Sequence, residues 1–527
     1  MRLPLLLSLL FLTIGTRCMA TRYHVNVAAT GAGTGLTWAN AFTDLQEALS
    51  VVVPGDEIWV AAGQYKPTSG TDRTVSFVLR DGVDLYGGFA GTETSVEERD
   101  INANPTTLNG DIGQLGEVSD NSYAVLRGNN ITFTQVVDGF RIINANGPSG
   151  QNGGGLRLTN ALGGLVIVRN CTFFSNRTTT YGGAIYLAAS NLTVENCVFH
   201  SNESGSGGAI LNGNNNGGYS NLVLRDCEFK GNTANIGACL DNTVRYETLV
   251  IDRCFFTNNL SANNVIVIDD FLSAKLMNSA IIGNSVNGFS SEVLRVNTFG
   301  SSTAPFDMIN CTIAHNRNTS SSPIQSEIVQ LEDNHMRISN CIVHGNTAYA
   351  GRQMRTGPIV QYSLVQGGYA SGTAVVDADP QFTAPNTTAT SNFDATAFDY
   401  HPLASSPAIN AGSNDLVPVD ALFDLDGEER VQGGVVDLGC YESDLTVGIA
   451  ERPTAQGKWH FDAEHGVLHV TDLGTSGALA VEVLTLSGQL VERITVRQSA
   501  TRLELPAGMY VARSEGLRPL RFVVGGQ

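Results

Sequence analysis

The sequence predicts an all-β protein in which one right-handed parallel β-helix, a single solenoid, is followed by a small Ig-like β-sandwich. A Cys motif, closed by Asn five residues later, returns at steps of 25 to 32 residues between Cys171 and Cys341. A Gly-Gly-Ala-Ile-like motif returns with a similar period from Gly153 to Gly237. Gly, Asn and Ser interrupt the short alternating apolar runs, which leaves no room for long helices. Two motifs sharing one period indicate a repeated unit, and about 25 residues fit the three short strands of one β-helix coil.

Length and charge limit the classes of function. The chain has 527 residues, too many for one compact core, which favours an elongated repeat or several domains. Its 31 basic and 50 acidic residues give a net charge of −19, and no basic run occurs. Because nucleic acids and anionic membranes are bound by clustered Lys and Arg, we expect no nucleic-acid partner.

The N-terminus predicts export. Arg2 precedes an apolar run from Leu3 to Ile14, and small residues end near Ala20, as is typical of a signal peptide over residues 1–20. No later stretch of 18 apolar residues occurs, so we expect no transmembrane segment. The prediction is a secreted or cell-surface protein, and a monomer.

Residues 21–57 are predicted to cap the open end of the β-helix, which would otherwise expose its apolar interior. Thr43 with Gln46 gives a capping-box pattern, and an apolar face at helical spacing follows until a Pro-Gly pair ends the helix. The coils are then predicted to run over residues 58–370.

Each coil is predicted to place one Cys and one Asn at fixed positions, so that equivalent residues stack at the strand spacing of about 4.8 Å. A reduced, buried thiol acts as a small apolar side chain. The Asn amides can bond to one another at a turn, where Asn also tolerates left-handed backbone. The predicted Cys column is Cys171, Cys197, Cys227, Cys254, Cys311 and Cys341. The predicted Asn column is Asn176, Asn202, Asn232, Asn259, Asn284, Asn316 and Asn346.

The segment from Tyr23 to Thr68 resembles the N-terminal cap of bacterial pectin-lyase-like, right-handed parallel β-helix proteins. The Gly-Gly-Ala-Ile and Phe-x-x-Asn repeats are similar to those of polymorphic outer-membrane adhesins. Residues 371–444, with the motifs that begin at Asp379 and His401, resemble the closing module, of choice-of-anchor type, found after many such β-helices. These resemblances imply a β-helix displayed on a bacterial surface.

Residues 445–527 change character, since Gly and Asn thin out and alternating apolar runs predict a small antiparallel β-sandwich. The pattern LSGQLV, then LPAGMYVAR, then a terminal apolar strand resembles the C-terminal sorting domain of type IX secretion substrates. Arg521 stands where that family often has Lys. The resemblance implies the type IX secretion machinery as a partner and a place outside the outer membrane of a Gram-negative bacterium. A generic Ig-like spacer is the alternative.

Candidate catalytic residues are few. Hydrolases of pectin-lyase fold resemble one another in an Asp-Asp pair, a Gly-His-Gly and an Arg-Ile-Lys. This chain has Asp269-Asp270 but neither of the other two motifs. Lyases of the fold use Ca²⁺ held by clustered acids with an Arg or Lys base, which Arg352 and Arg355 echo without acids nearby in sequence. Asp269 and Asp270 are therefore weak catalytic candidates, with an exposed turn as the alternative.

One motif suggests a metal. Asp424 and Asp426 alternate before Gly427 as in a Ca²⁺ loop, but the twelve-residue ligand spacing is missing. A turn that pairs with Arg430 is favoured over a Ca²⁺ site. No other cofactor is expected.

Two classes of function remain. The sequence favours a non-catalytic surface protein, an adhesin or a glycan-binding or structural protein, with a polysaccharide or a host or neighbouring cell surface as its partner. The alternative is a polysaccharide lyase or glycoside hydrolase acting on uronic-acid polysaccharides. A cleft in which acids and Arg from adjacent coils converge would favour the enzyme.

Overall fold

The computed structural model describes residues 20–443 apart from 214–219, 244–247, 289–290, 299–303, 321–326, 333 and 349–350. Beyond them it describes 459–462, 467–470, 479–485, 490–497, 500–502, 508–514 and 517–524. The predicted signal peptide lies outside the described residues except for Ala20.

The larger part of the chain winds into coils whose short strands pair in parallel with strands of the coils before and after. Within a coil, the strands belong to four ladders, named first to fourth in chain order. The first three ladders share one sheet and the fourth is a separate sheet. The register is in phase, since Phe173 lies beside Phe199 and Phe199 beside Phe229. The predicted fold class is confirmed.

The first ladder contains Phe77–Val78, Leu126–Asn129, the first halves of Leu156–Arg169 and Ile185–Glu195, Ile210–Gly213, Leu240–Thr243, Asn264–Asp269, Glu292–Asn297 and Val329–Leu331. The second contains Arg22–Val25, Glu57–Ala61, Asp84–Phe89, Gln135–Asp138, the second halves of those two long strands, Asn221–Arg225, Thr248–Asp252, Ser273–Met277, Phe306–Ile309, Arg337–Ser339, Ile359–Val365 and Thr373–Val376. The third contains Gly63–Tyr65, Thr106–Asn109, Phe140–Ile143, Thr172–Phe174, Val198–His200, Glu228–Lys230, Phe255–Thr257, Ala280–Ile282, Thr312–Ala314 and Ile342–His344. The fourth contains Asn146–Gly147, Arg177–Thr178, Glu203–Ser206, Thr233–Ile236, Leu260–Ser261, Ser285–Val286 and Arg317–Asn318. Single-turn 3-10 helices lie at Trp38–Asn40, Val96–Glu98, Val118–Asp120, Ala395–Ala397 and Asn414–Leu416.

The interior of the coils is a continuous apolar stack. The rings of Phe173, Phe199, Phe229 and Phe256 lie parallel, with successive centroids 5.0, 4.7 and 4.8 Å apart. All four side chains are fully buried. The stacking distance equals the strand spacing, so each ring packs on its equivalent one coil away.

The Cys column lies at the corner between the second and third ladders, and its members are buried free thiols. At this corner the backbone N–H of the column residue has its acceptor in the next coil, on the side chain of the equivalent residue. The N–H of Cys171 donates to Sγ of Cys197 at 3.4 Å, and that of Cys254 donates to Oγ of Ser279 at 3.0 Å. The Ser279 hydroxyl in turn donates to the carbonyl oxygen of Met277. The corner requires a small side chain with a lone pair, which is why Ser can replace Cys there.

The Asn column lies at the corner between the third and fourth ladders. Asn232 is representative, since its Nδ2 donates to the Phe199 carbonyl oxygen at 2.9 Å and to Oδ1 of Asn259 at 3.0 Å. Its backbone N–H donates to the same Oδ1 at 2.8 Å. The pattern runs from Asn176 to Asn346, and no member is more than 7% exposed.

The left-handed residues lie one position before those the sequence predicts. Asn170 and Ser175, directly before a column Cys and a column Asn, both have φ of 53°. The column Asn residues themselves have no positive φ. The preceding residue makes the turn, which lets the column Asn direct its amide inward.

The cap contains one α-helix, Leu45–Val51. Its N-cap is Asp44, whose carboxylate accepts the N–H of Gln46 at 2.9 Å, so the capping pattern placed at Thr43 is wrong by one residue. Its buried side joins the main core cluster through Leu45, Ala48 and Leu49.

The closing module folds back along the side of the coils, and its strands Phe382–Ala384 and Asp399–Pro402 pair antiparallel. Small apolar side chains on the outer side of the third ladder form its seat, among them Ala280 and Ala314. They share one buried cluster with Tyr400 of the module. One coil earlier Phe255 packs against the same cluster, and one coil before that the equivalent position is Glu228, so the outer side of the ladder becomes apolar towards the seat.

The C-terminal segments form two antiparallel sheets, as predicted for a small β-sandwich. One sheet contains Trp459–Asp462, Val467–Val470 and Ala500–Arg502. The other contains Leu479–Thr485, Leu490–Val496, Gly508–Ser514 and Leu517–Val524. Among the described residues, no helix has the length and apolar character needed to span a membrane.

Replacing Asn259 by Ala is expected to lower the free energy of unfolding by about 2–4 kcal/mol, because it leaves buried groups on Asn232 and Phe229 without partners. Denaturant unfolding measures the change. The matched control is Asn263→Ala, where an exposed side chain bonds only to the Asn235 carbonyl oxygen. Equal effects of the two changes would contradict a stabilising role for the column.

Candidate functional site

Asp241, Asp269 and Arg295 come from three consecutive strands of the first ladder. The register places Asp241 and Arg295 on either side of Val267. Asp269 is two residues beyond Val267, on the same outward side, because Ile268 between them belongs to the core. Asp269 is therefore the diagonal neighbour of both Asp241 and Arg295, and diagonal neighbours on one face of a sheet lie about 7–8 Å apart.

The contacts of these three residues leave two covered carboxylates beside a partly open guanidinium. Nη2 of Arg295 lies 3.4 Å from Oδ2 of Asp269. The hydroxyl of Ser206 donates to Oδ2 of Asp241. Asp241 and Asp269 are 4% and 5% exposed, whereas the Arg295 side chain is 30% exposed. Arg295 is thus the member of the group nearest to solvent.

Further acids and arginines extend the group along the same side. Oε1 of Glu327 lies 3.5 Å from Nη1 of Arg352, and Oε1 of Glu332 lies 3.6 Å from Nη1 of Arg355. Glu292 accepts a hydrogen bond from Nδ2 of its neighbour in the register, an Asn, at 3.0 Å. We call the group the acid–arginine face, and it consists of Asp241, Asp269, Glu292, Arg295, Glu327, Glu332, Arg352 and Arg355.

Three carboxylate oxygens of the face are buried with no hydrogen-bond partner among the described residues, namely Oδ1 of Asp241, Oδ1 of Asp269 and Oε1 of Glu292. A buried, unsatisfied charged oxygen costs several kcal/mol unless the group binds a proton or a ligand. The face therefore holds carboxyl groups that are prepared to carry a proton.

The pKa values of these carboxyl groups are raised, as expected for buried acids. Burial raises the pKa of Asp269 to about 7, although Arg295 opposes the shift, and the charges of Asp241 and Asp270 add to it. Burial raises the pKa of Asp241 to about 6, against the hydroxyl of Ser206 and the charge of Arg295. Burial also raises the pKa of Glu292 to about 7. Near neutral pH the face contains both protonated and ionised carboxyl groups, which acid–base chemistry requires.

The two predicted catalytic candidates lie in different places. Asp269 joins the acid–arginine face, whereas Asp270 follows it in the left-handed region, with φ of 57°, where the chain leaves the strand. The sequence shows no acids near Arg352 and Arg355, but the structure places Glu327 and Glu332 of the neighbouring coil beside them.

Sequence reasoning missed Asp241, Glu292 and Arg295. A signal for Asp241 alone is present in the Gly-Gly-Ala-Ile repeat, since the position after the motif is Tyr186 and Leu211 in two coils and Asp241 in the next. Register alignment of later coils brings Arg295 to that same position. The later coils lack the glycine motif, so their alignment requires the structure.

The candidate metal residues lie in a turn of the closing module. Oδ1 of Asp424 accepts the N–H groups of Asp426 and Glu428 at 3.0 and 2.8 Å, and Oδ2 accepts that of Glu442 at 2.8 Å. Burial raises the pKa of Asp424 to about 6. Asp426 bonds to His401 at 2.9 Å. In the part of the chain that the structure describes, no three His, Cys, Asp or Glu side chains are grouped to hold a metal ion, and the Ca²⁺ hypothesis stays a prediction.

No protein-family model matches this chain, and no curated protein matches it. Solved structures similar to it include a pectate lyase, with 13% identity, 81% of this chain and 97% of that chain covered, and a TM-score of 0.37. A rhamnogalacturonan lyase is 11% identical, with 69% of this chain and 91% of that chain covered and a TM-score of 0.40. A complex of XylC with xylose is 9% identical, with 69% of this chain and 88% of that chain covered and a TM-score of 0.30. The strand pairing by itself shows a parallel β-helix. Because their TM-scores lie below 0.5, the three solved structures support no further statement about this chain.

The buried carboxyl groups of this β-helix are expected to reduce its stability at high pH. The folded chain holds the Asp269 proton up to a pKa of about 7, whereas the ordinary value is 3.8. Stability is therefore lost as the pH rises from 4 through 7. Asp269→Asn, which cannot ionise, is expected to raise the free energy of unfolding by on the order of 1–3 kcal/mol at pH 8 and by little at pH 4. Denaturant unfolding at both pH values measures it.

The control for that prediction is Asp307→Asn, which changes a partly exposed carboxylate of the second ladder. It is expected to leave the difference between pH 4 and pH 8 unchanged. A pH-independent effect of Asp269→Asn would show that the carboxyl group is not held in its protonated form.

Proposed function

We propose that this protein is a surface-associated β-helix that hydrolyses uronic-acid polysaccharides at the acid–arginine face. The observation that carries the proposal is the placement of Asp241 and Asp269 on adjacent coils, with Arg295 beside them. The sequence favours a non-catalytic surface protein because it reveals no such convergence. The convergence of acids and arginines is what favours the enzyme.

The spacing suits hydrolysis. Inverting glycosidases hold two carboxyl groups about 6.5–9.5 Å apart, so that a water molecule fits between one of them and the sugar. The register makes Asp241 and Asp269 diagonal neighbours, whose backbones lie about 7–8 Å apart, and this spacing allows their carboxyl groups such a separation. Both side chains project from rigid strands, which fixes their separation.

The two pKa values assign the roles. Asp269, with a pKa of about 7, donates its proton to the oxygen of the glycosidic bond as that bond breaks. Asp241, with a pKa of about 6, is the more readily ionised and accepts a proton from the attacking water. The water oxygen becomes bonded to the anomeric carbon, and the leaving chain departs as an alcohol.

The arginines suit a uronate substrate. Arg295 is the exposed member of its ion pair with Asp269, and the side chains of Arg352 and Arg355 are 55% and 41% exposed. A guanidinium binds a carboxylate in a planar, bidentate geometry. When a uronate engages Arg295, the guanidinium stabilises ionised Asp269 less, and the acid then keeps its proton more firmly.

The burial of Asp241 and Asp269 favours a second candidate function, binding without catalysis. Asp241 and Asp269 are nearly covered, which suits a face that binds or displays rather than one that cleaves. In that case the protein is an adhesin or a glycan-binding structural protein, and a polysaccharide or a host or neighbouring cell surface is its partner. The two candidates differ in whether a product is released.

We also propose that the chain is exported by the type IX secretion machinery to the outside of the outer membrane, where it acts as a monomer. The signal-peptide pattern of residues 1–20 and the sorting-domain pattern of residues 445–527 support this. The antiparallel sheets of the C-terminal part are compatible with such a domain.

The full-length protein is expected to release oligosaccharides from polygalacturonate, with a pH profile that falls below about 6, where Asp241 is protonated, and above about 7, where Asp269 is ionised. Asp269→Asn and Asp241→Asn are each expected to lower kcat by about 10²–10⁴-fold, whereas Asp307→Asn leaves it unchanged. Reducing ends measure hydrolysis, and ultraviolet absorbance of unsaturated ends measures elimination.

Binding without product release would support the adhesin, and unsaturated ends would support a lyase. Either result would contradict hydrolysis at this face. Product release that survives both Asp changes would place the chemistry elsewhere.

Deletion of residues 445–527 is expected to leave a folded β-helix that accumulates in the periplasm, because the sorting pattern is removed and the core of the coils is intact. Cell fractionation measures its location, and protease resistance of the truncated protein checks its folding. Normal appearance of the truncated protein in the medium or on the cell surface would contradict the sorting assignment.

A further inference from the structure

A cleft of about 530 Å³ opens between the coils and the closing module, on the third-ladder side of the rod. Asp226, Glu228 and Phe255 line its wall on the coils, and Phe398 and Asp426 line its wall on the module. On the coils the cleft extends over three strands of the third ladder, from Val198 to Phe255, and the module contacts the last of these coils, where the Ala395 N–H donates to Oγ1 of Thr257 at 2.7 Å. The volume lies within the range of about 300–1,000 Å³ that is typical of small-ligand sites.

The cations of the cleft are held by its carboxylates. Arg253 makes two contacts of 2.8 Å with the two carboxylate oxygens of Asp226. His401 lies between Asp399, at 2.6 Å from its Nδ1, and Asp426, at 2.9 Å from its Nε2. Carboxylates outnumber cations along the lining, so the cleft presents a negative field to a ligand.

Glu228 is the lining carboxylate that no hydrogen bond or ion pair of the described residues satisfies. Its nearest cation in the ladder, Lys230, is paired with Asp394 of the closing module. Burial raises the pKa of Glu228, Lys230 opposes the shift and Asp394 adds to it. A cation that enters the cleft would stabilise the ionised form of Glu228.

Aromatic rings supply flat apolar surfaces around that carboxylate. Phe255 is partly buried on one wall, and Phe398 is 39% exposed on the other. Behind them, the rings of His401 and Tyr441 stack with centroids 3.9 Å apart. Such surfaces bind the apolar faces of a ring, and the face of an aromatic ring attracts a cation.

We propose that this cleft binds an amino sugar with a free, protonated amine, which places its ammonium at Glu228 and its ring between Phe255 and Phe398. The hydroxyl groups of the sugar reach Asp426 on the opposite wall. A uronate is excluded because its charge has the sign of the lining. A lysine side chain also carries an ammonium, but it has no hydroxyl for the second carboxylate, which favours the sugar. The site lies on a different ladder from the acid–arginine face and does not depend on the proposed function.

Isothermal titration of the full-length protein with an oligosaccharide of glucosamine tests the proposal. Its N-acetylated counterpart, trigalacturonate and a lysine-containing peptide are titrated in parallel. The glucosamine oligomer is expected to bind at least about tenfold more tightly than the other three, because it alone combines an ammonium for Glu228 with hydroxyl groups for Asp426.

Glu228→Gln is expected to weaken that binding by about tenfold or more and Phe398→Ala to weaken it as well. Glu203→Gln, an exposed carboxylate on the fourth ladder paired with Arg177, is the matched control and is expected to leave binding unchanged. Equal binding of the N-acetylated oligomer or trigalacturonate, or full binding by Glu228→Gln, would overturn the proposal. Preference for the peptide would overturn it in favour of a protein partner.

Discussion

The corners of this β-helix turn the chain inside the structure, and side chains of the next coil satisfy backbone groups there. The Asn column does this at the corner after the third ladder, where one Oδ1 accepts both a backbone N–H and an amide N–H from the previous coil. The Cys and Ser side chains of the other column accept one N–H per coil in the same manner. Each column residue accepts hydrogen bonds from its equivalent one coil away. The motif must therefore recur once per coil, so the period of the sequence equals the period of the structure.

This constraint separates two kinds of position. Inward residues are fixed by stacking, whereas outward residues of the same strands are free to vary from coil to coil. The position after the Gly-Gly-Ala-Ile motif is Tyr186 in one coil, Leu211 in the next and Asp241 in the third. Chemistry can therefore be placed on one side of the rod without disturbing its interior, although buried acids such as Asp269 lower stability at high pH.

The fold could be predicted from the sequence because it depends on inward residues that repeat. The face could not, because Asp241, Asp269 and Arg295 lie in coils of unequal length, and only the register shows that they share one side. The seat of the closing module was missed for a related reason. Its signal is a change at one outward position, from Glu228 through Phe255 to Ala280, which has meaning only once the coils are aligned.

The two sites share coils but not surfaces. Asp241 and Phe255 lie in one coil, on the first and third ladders respectively, while Glu228 lies in the coil before it and Asp269 in the coil after it. Since the strands between them are paired on both sides and the core is packed throughout, the distance between the sites is rigid. The two proposals assign ligand groups of opposite charge to the two sites, an ammonium to Glu228 in the cleft and a uronate to the exposed arginines of the acid–arginine face. Taken together, the two proposals imply that the rod holds one polymer by its cleft while another, or an acidic stretch of the same one, lies along the acid–arginine face.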